Sequence, residues 1–266
     1  MGNSAVRSRS DPRISRRRKT VVRAGRRKLV VRFLLLVAMG ALVYALFFSP
    51  WLQVRGVTVG GVQKTSPEQV IAAGGIGTAD NLLLVSPNDV AERVERLPWV
   101  LRASVDRKLP GTVVVRVVER SPSVVLALGN RRWTIDAEGR VLTEGEAGDD
   151  LPVVAGVAVD HVTPGANLRN EALLSALKAF ESLPSALRSE VAAVFAPTVE
   201  RITFSLKDGI QVRYGAAEEL GSKNEVLAIL LKRLRHEGRT SVYLDVRVPS
   251  NPAVGPASAS VPTEVP

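Results

Sequence analysis

The hydrophobic pattern changes character twice along the chain, from one long apolar run to short helices and strands, and then to a series that is mostly strands. Residues 29–48 form the apolar run, broken by a single charge at Arg32. About 20 residues rising about 1.5 Å each cover a hydrocarbon core of about 30 Å, so this run predicts one transmembrane helix. From residue 54 the pattern shortens. Val54-Arg55-Gly56-Val57-Thr58-Val59 alternates like a strand and stops at Gly60-Gly61. Ser66, Pro67 and Gln69 stand at the N-cap, first and third positions of a capping box, and the helix they open ends at Gly74-Gly75. Ser86 and Pro87 repeat the device ahead of Val90, Val94 and Leu97, a stripe that Pro98 closes. Leu101, Ala103, Val105 and Leu109 then alternate with polar residues, and Pro110-Gly111 turns the chain into residues 112–118 as a hairpin. The order β-α-α-β-β predicts two helices packed on one face of a three-stranded sheet.

Past a short joint at Arg120-Ser121-Pro122 the pattern is mainly strand. Residues 132–135 and 140–142 flank Asp136-Ala137-Glu138-Gly139, and residues 201–206 and 210–214 flank Asp208-Gly209; both read as hairpins with glycine at the position of positive φ. Two helices interrupt them, one carrying Leu173, Leu174, Leu177 and Phe180. The other is capped by Ser222 with Glu225 three residues on, carries Val226, Leu227, Leu230, Leu231 and Leu234, and stops at Gly238. The last alternation is residues 241–248, with Val242, Leu244, Val246 and Val248 on one face and Tyr243, Asp245 and Arg247 on the other. Residues 249–266 hold five prolines among Ala, Ser and Val and read as a disordered tail. The fold class is α+β: a basic tail (1–28), a single transmembrane helix (29–48), a first module (52–120), a mixed, mainly antiparallel β module with packed helices (121–248), and the tail (249–266).

Charge gives the helix a direction. Residues 1–28 hold eleven Lys or Arg against Asp11, so they carry the whole net charge of +10 and the rest of the chain is neutral. Basic residues are retained on the cytoplasmic side of a span, which places the N-terminus inside and the two modules outside. Arg26, Arg27 and Lys28 flank the span, and Arg32 in its first turn can snorkel to the headgroups, so these four are read as membrane anchors. The residues after the span lack the small-x-small pattern of signal-peptidase cleavage. A basic tail suits anionic lipid or nucleic acid. Its place against the span, with no aromatic residue before Phe33 to stack on bases, favours lipid and excludes nucleic acid as the partner. There is no cysteine, so the exported part is stable without disulfides, as suits a bacterial envelope.

Catalysis finds little to work with. The two histidines, His161 and His236, lie far apart, and neither has a second ligand at metal spacing. Gly60-Gly61-Val62-Gln63-Lys64-Thr65 ends like a phosphate loop but has Gln63 where glycine must precede lysine; Gly75-Ile76-Gly77 lacks the third glycine of a dinucleotide fingerprint. Asp149-Asp150 lie in a loop, solvated rather than poised for acid–base work. No catalytic residue, metal or cofactor is assigned.

Several segments in this order resemble the FtsQ/DivIB family of bacterial cell-division proteins: residues 54–61 after the span, Leu97-Pro98-Trp99-Val100, Val118-Glu119-Arg120-Ser121-Pro122, residues 133–142, and Tyr243-Leu244-Asp245-Val246-Arg247. The resemblance implies that the first module is a POTRA domain and the second the family's β domain. It also implies a non-enzymatic scaffold, enriched at the division septum, that binds FtsB-like and FtsL-like proteins and, indirectly, the FtsW/FtsI-like septal peptidoglycan synthase. It carries partner binding onto the last strand, over Tyr243, Leu244, Asp245, Val246, Arg247, Val248, Pro249 and Ser250. An alternating strand followed by a Pro-rich tail is also a natural sheet edge, open to strand addition. Two other readings stay open: a POTRA-type chaperone of secretion and a membrane-anchored envelope enzyme.

Overall fold

Residues 12–48, 52–78, 80–145, 150–159, 161–239 and 242–256 are described by the structure, a computed structural model. Asp149, Ser241 and the chain ends at 1–11 and 257–266, for which the sequence raised expectations, lie outside them.

Helix α1 (Pro12–Phe48) contains the expected span. Its window Arg27–Ala45 has a mean hydropathy of 2.0, and none of it is buried against protein, as fits a membrane-crossing helix by length and composition. The helix also runs back through the basic segment to Pro12, where disorder was expected. Proline is suited to a first helical turn, Arg and Lys are good helix formers, and the apolar run removes the nucleation cost.

By packing, the chain divides into two compact units: residues up to 58 with 76–86 and 107–113, and residues 59–75 and 87–106 with 114 onward. In the first unit, the Leu82 N–H donates to the Leu52 carbonyl (2.7 Å), Val54 N–H to Asp80 (2.8 Å) and Arg55 N–H to Gly111 (2.7 Å). Val54, Leu82 and Val113 are fully buried there.

The β-α-α-β-β order holds: β1 (Gly56–Gly60), α2 (Pro67–Gly74), α3 (Pro87–Glu95), β2 (Val100–Lys108) and β3 (Thr112–Glu119), with strands in the order β1-β3-β2. Helix α2 has the capping box read from sequence, Gln69 N–H donating to Ser66 Oγ and Ser66 N–H to Gln69 Oε1, and it ends on Gly75 at φ 61°. Arg93 of α3 donates twice to the Gly74 carbonyl, neutralising the C-terminal end of α2.

The second unit's large sheet has nine strands in the order β12-β11-β10-β9-β8-β7-β4-β5-β6. They are β4 (Pro122–Leu128), β5 (Arg131–Asp136), β6 (Val141–Glu144), β7 (Val153–Ala155), β8 (Val191–Phe195), β9 (Thr203–Leu206), β10 (Gln211–Arg213), β11 (Val242–Asp245) and β12 (Ala253–Pro256). The pairs β4–β7, β7–β8 and β10–β11 are parallel, and the others antiparallel. Helices α4 (Glu171–Ser182) and α6 (Leu220–His236) pack together, with the short α5 (Ser185–Arg188) after the first. Leu173, Leu177, Leu227 and Leu231 from these helices share one core with Leu126, Trp133, Ile135 and Phe204 from the strands. Each such side chain contributes about 1.5–3 kcal/mol. Tyr214 reaches the core with its hydroxyl satisfied, donating to Asn224 Oδ1 (2.9 Å), while Asn224 donates to the Ser182 carbonyl (2.8 Å). Helix α6 starts at Leu220, two residues before the expected Ser222 cap, because Glu219 adopts a left-handed turn at φ 47°.

The joint motif is a polar cluster. Arg120 donates to Asp136 Oδ2 (2.6 Å), Glu138 Oε2 (2.9 Å) and the Val100 carbonyl (3.1 Å). Arg140 is buried and donates through one nitrogen to the carbonyls of Glu95, Arg96 and Leu97 (3.0–3.3 Å), the exposed peptide ends following α3. Asp136 Oδ1 accepts the Glu138 and Arg140 backbone N–H groups and holds the turn between β5 and β6.

Candidate functional site

The expected partner-binding strand is present as β11, but it is not the edge of the sheet. Residues 253–256, expected within a disordered tail, form β12 and pair antiparallel with β11 in the register Tyr243↔Gly255 and Leu244↔Val254. Leu244 and Val246 are wholly buried core residues. Tyr243 and Asp245 are half-buried on the opposite face, and Arg247, Val248, Pro249 and Ser250 make the bend and turn that lead to β12. The signal for this last strand was thin: the Pro249 to Pro252 turn, followed by a glycine in register with an aromatic ring.

That register has a steric cause. Any Cβ at Gly255 would collide with the Tyr243 ring, so only glycine lets β12 lie flat against β11. The guanidinium of Arg213, on the parallel neighbour β10, sits 4.1 Å from the centre of the same ring. Arg247 folds back on Asp245, with Nε donating to both carboxylate oxygens (2.9 and 3.0 Å) and an Nη to one of them (2.6 Å). These bonds hold the Asp245 carboxyl below its ordinary value, against the opposing effect of burial. Gly215, at φ 73°, is needed for the Arg247 stem to pass. Beside this face lies a cleft of about 260 Å³ whose lining includes Phe195, Arg201, Thr203, Arg213 and Arg247. The arrangement offers an outer strand bracketed by Pro252 and Pro256, a partly exposed Val254, and three arginines, Arg201, Arg213 and Arg247, against two acids, Glu200 in the cleft and Asp245 beside it. It is suited to main-chain pairing with an added strand and to carboxylates beside it.

The other sequence candidates have ordinary structural explanations. The loop at Lys64-Thr65 presents its N–H groups to an internal carboxylate, Glu119 (2.7–3.0 Å), rather than to a phosphate. Burial works to raise the Glu119 pKa, and the N–H groups of Lys64, Thr65 and Gln63 outweigh it and lower it. His161 and His236 are exposed. Asp150 pairs with Lys207 (3.1 Å). Among the described residues no cluster of His, Asp or Glu has the geometry to hold a metal. The anchor residues Arg26, Arg27, Lys28 and Arg32 all lie on α1.

Comparison with known proteins agrees with this architecture. Residues 52–120 match the FtsQ-type POTRA domain, and residues 125–247 match the C-terminal domain of the cell division protein FtsQ/DivIB. The chain is 28% identical over 187 residues to the cell division protein FtsQ of Corynebacterium glutamicum, covering 70% of this chain and 82% of that one. It is 34% identical over 197 residues to that of Mycolicibacterium smegmatis, covering 74% of this chain and 56% of that longer protein. With the FtsQ of Mycobacterium tuberculosis H37Rv the identity is 31% over 234 residues, 88% of this chain and 70% of the relative. The chain belongs to the FtsQ/DivIB family of cell division proteins.

Proposed function

We propose that this chain is a non-enzymatic, single-pass scaffold of the division machinery that receives partners at the closing edge of its large sheet. The POTRA domain (52–120) and the β domain (from 121) stand outside the membrane, and the N-terminus is cytoplasmic, where its basic residues meet anionic lipid. The partners are the extracytoplasmic segments of FtsB-like and FtsL-like proteins, through which the FtsW/FtsI-like septal synthase is positioned at the septum. The reading rests on one observation: among the described residues the sheet ends at β12, beside the Arg213–Tyr243–Arg247 face. A partner strand adds to β12, with Tyr243, Asp245, Arg247, Val248, Pro249 and Ser250 beside it, while Leu244 and Val246 support the strand from the core.

Co-purification of the full chain with FtsB-like and FtsL-like segments, beside a chain ending at Ser250, tests this. Binding by the full chain and its loss on truncation are expected. Equal binding by both would remove the edge from the account. Depletion is expected to give filamentous or branched cells, and normal septa would reject the division role in favour of secretion or envelope chemistry.

A further inference from the structure

The first packing unit carries an apolar surface that the partner-binding reading does not use. Leu83 and Leu84 are 45% and 65% exposed, and Leu109, at the tip of the β2–β3 hairpin, is 71% exposed. They are displayed on ordered backbone. The Leu83 N–H donates to Asn81 Oδ1 (2.8 Å), those of Leu84 and Val85 to the Asn81 carbonyl (2.9 and 3.2 Å), and Leu82 is fully buried beneath. Arg107 donates to the Leu83 carbonyl (3.0 Å), which fixes a cation beside the leucines. In residues 52–58, 76–86 and 107–113 the charges are Arg55, Arg107 and Lys108 against Asp80, whose carboxylate accepts the Gly77 N–H.

Covalent reach says what covers this surface. Helix α1 ends at Phe48, and Leu52, whose carbonyl accepts the Leu82 N–H, follows four residues later. Four extended residues span at most about 14 Å. The headgroup layer is itself about 5–8 Å deep on each side of the hydrocarbon core. We propose that the turn at residues 81–85 and the hairpin tip at Leu109 form a second membrane contact, with Leu83, Leu84 and Leu109 seated in the interfacial layer of the bilayer that α1 crosses and Arg55, Arg107 and Lys108 reaching its phosphates. The inference rests on α1 being a membrane span.

The chain has no cysteine, so single-cysteine variants report one site each. The full chain is reconstituted in vesicles of phosphatidylethanolamine and phosphatidylglycerol, and spin-labelled at Leu84→Cys, Leu109→Cys, Leu35→Cys in the span or Ala192→Cys on an exposed position of β8. Collision with oxygen is compared with collision with a water-soluble nickel chelate. The expected oxygen-to-nickel ratio at Leu84 and Leu109 is several-fold above that at Ala192 and below that at Leu35. A ratio at Leu84 and Leu109 equal to Ala192, with Leu35 lipid-exposed, overturns the second contact and leaves the span intact. A water-like Leu35 overturns both. Shielding of Leu84 from both reagents that disappears as the chain is diluted in lipid assigns the surface to a second copy and overturns the lipid contact.

Discussion

Two arginine–aspartate pairs in this chain have the same shortest distance, 2.6 Å, and different surroundings. At the joint, the Arg120 and Asp136 side chains are 13% and 6% exposed, whereas at the closing edge the Arg247 and Asp245 side chains are 59% and 15% exposed. A buried pair must satisfy most of its lone pairs and protons to survive desolvation, and the Arg120–Asp136 pair does so with the Val100 carbonyl, the Glu138 carboxylate and the Glu138 and Arg140 N–H groups. At the edge only the arginine is largely exposed, so the guanidinium stays open to solvent while the carboxylate beneath it depends on the three bonds it accepts from Arg247. Equal geometry therefore goes with an enclosed cation in one place and a solvent-facing one in the other, and it is the second that the proposed partner site uses.

The largest expected effect comes from breaking the first pair. Asp136→Ala leaves Arg120 with only the exposed Glu138 carboxylate, beside the Arg140 cation, and strips the Glu138 and Arg140 N–H groups of their acceptor; a loss of about 3 kcal/mol is expected in denaturant unfolding of the purified chain. A loss under about 1 kcal/mol would place the joint in the same class as the edge. Next is the steric seat of β12. Gly255→Val forces the strand off the Tyr243 ring, with an expected cost of about 1–3 kcal/mol, faster amide exchange confined to residues 242–256, and lost partner binding. Arg247→Ala sharpens the comparison from the other side: stability within about 1 kcal/mol of the parent, and a partner Kd weakened about tenfold, or about 1.4 kcal/mol. The smallest effect is with pH. Glu119 and Asp245 both have folded-state pKa values lowered from the ordinary 4.5 and 3.8. Their contribution is complete above those ordinary values and is lost as pH falls through the lower folded values. Stability is therefore expected to be flat, as far as these groups are concerned, from neutrality to about pH 5 and to decline below it, with Glu119→Gln flattening part of the decline.

Much of this arrangement was legible in the sequence where one local interaction decides the structure. The Ser66–Gln69 capping box, the Gly139 and Gly209 turns and the Val242-Leu244-Val246 face all appear as read, because a cap, a positive φ or a period of two is written in adjacent residues. Parallel neighbours such as β7 and β8 were not legible. They are three to five residues long, and their pairing depends on segments far along the chain. The start of α6 was misread because a left-handed Glu219 replaces the better cap at Ser222. Strand β12 was missed for a related reason. Its composition is that of a disordered segment, and it is held by antiparallel pairing with a distant strand, in a register where Gly255 meets the Tyr243 ring.

The Arg140 cluster also bears on mechanics. A hinge between modules needs a segment whose backbone can swing without breaking strong bonds. Here a guanidinium from the turn of one hairpin is plugged into three carbonyls behind α3, and its neighbour Arg120 is tied to the same turn. Bending at Ser121 would have to extract a buried cation. Within this unit, drawing the Glu95–Leu97 segment away from the β5–β6 hairpin would break three bonds to that cation, so the contact acts as a strut rather than a tether.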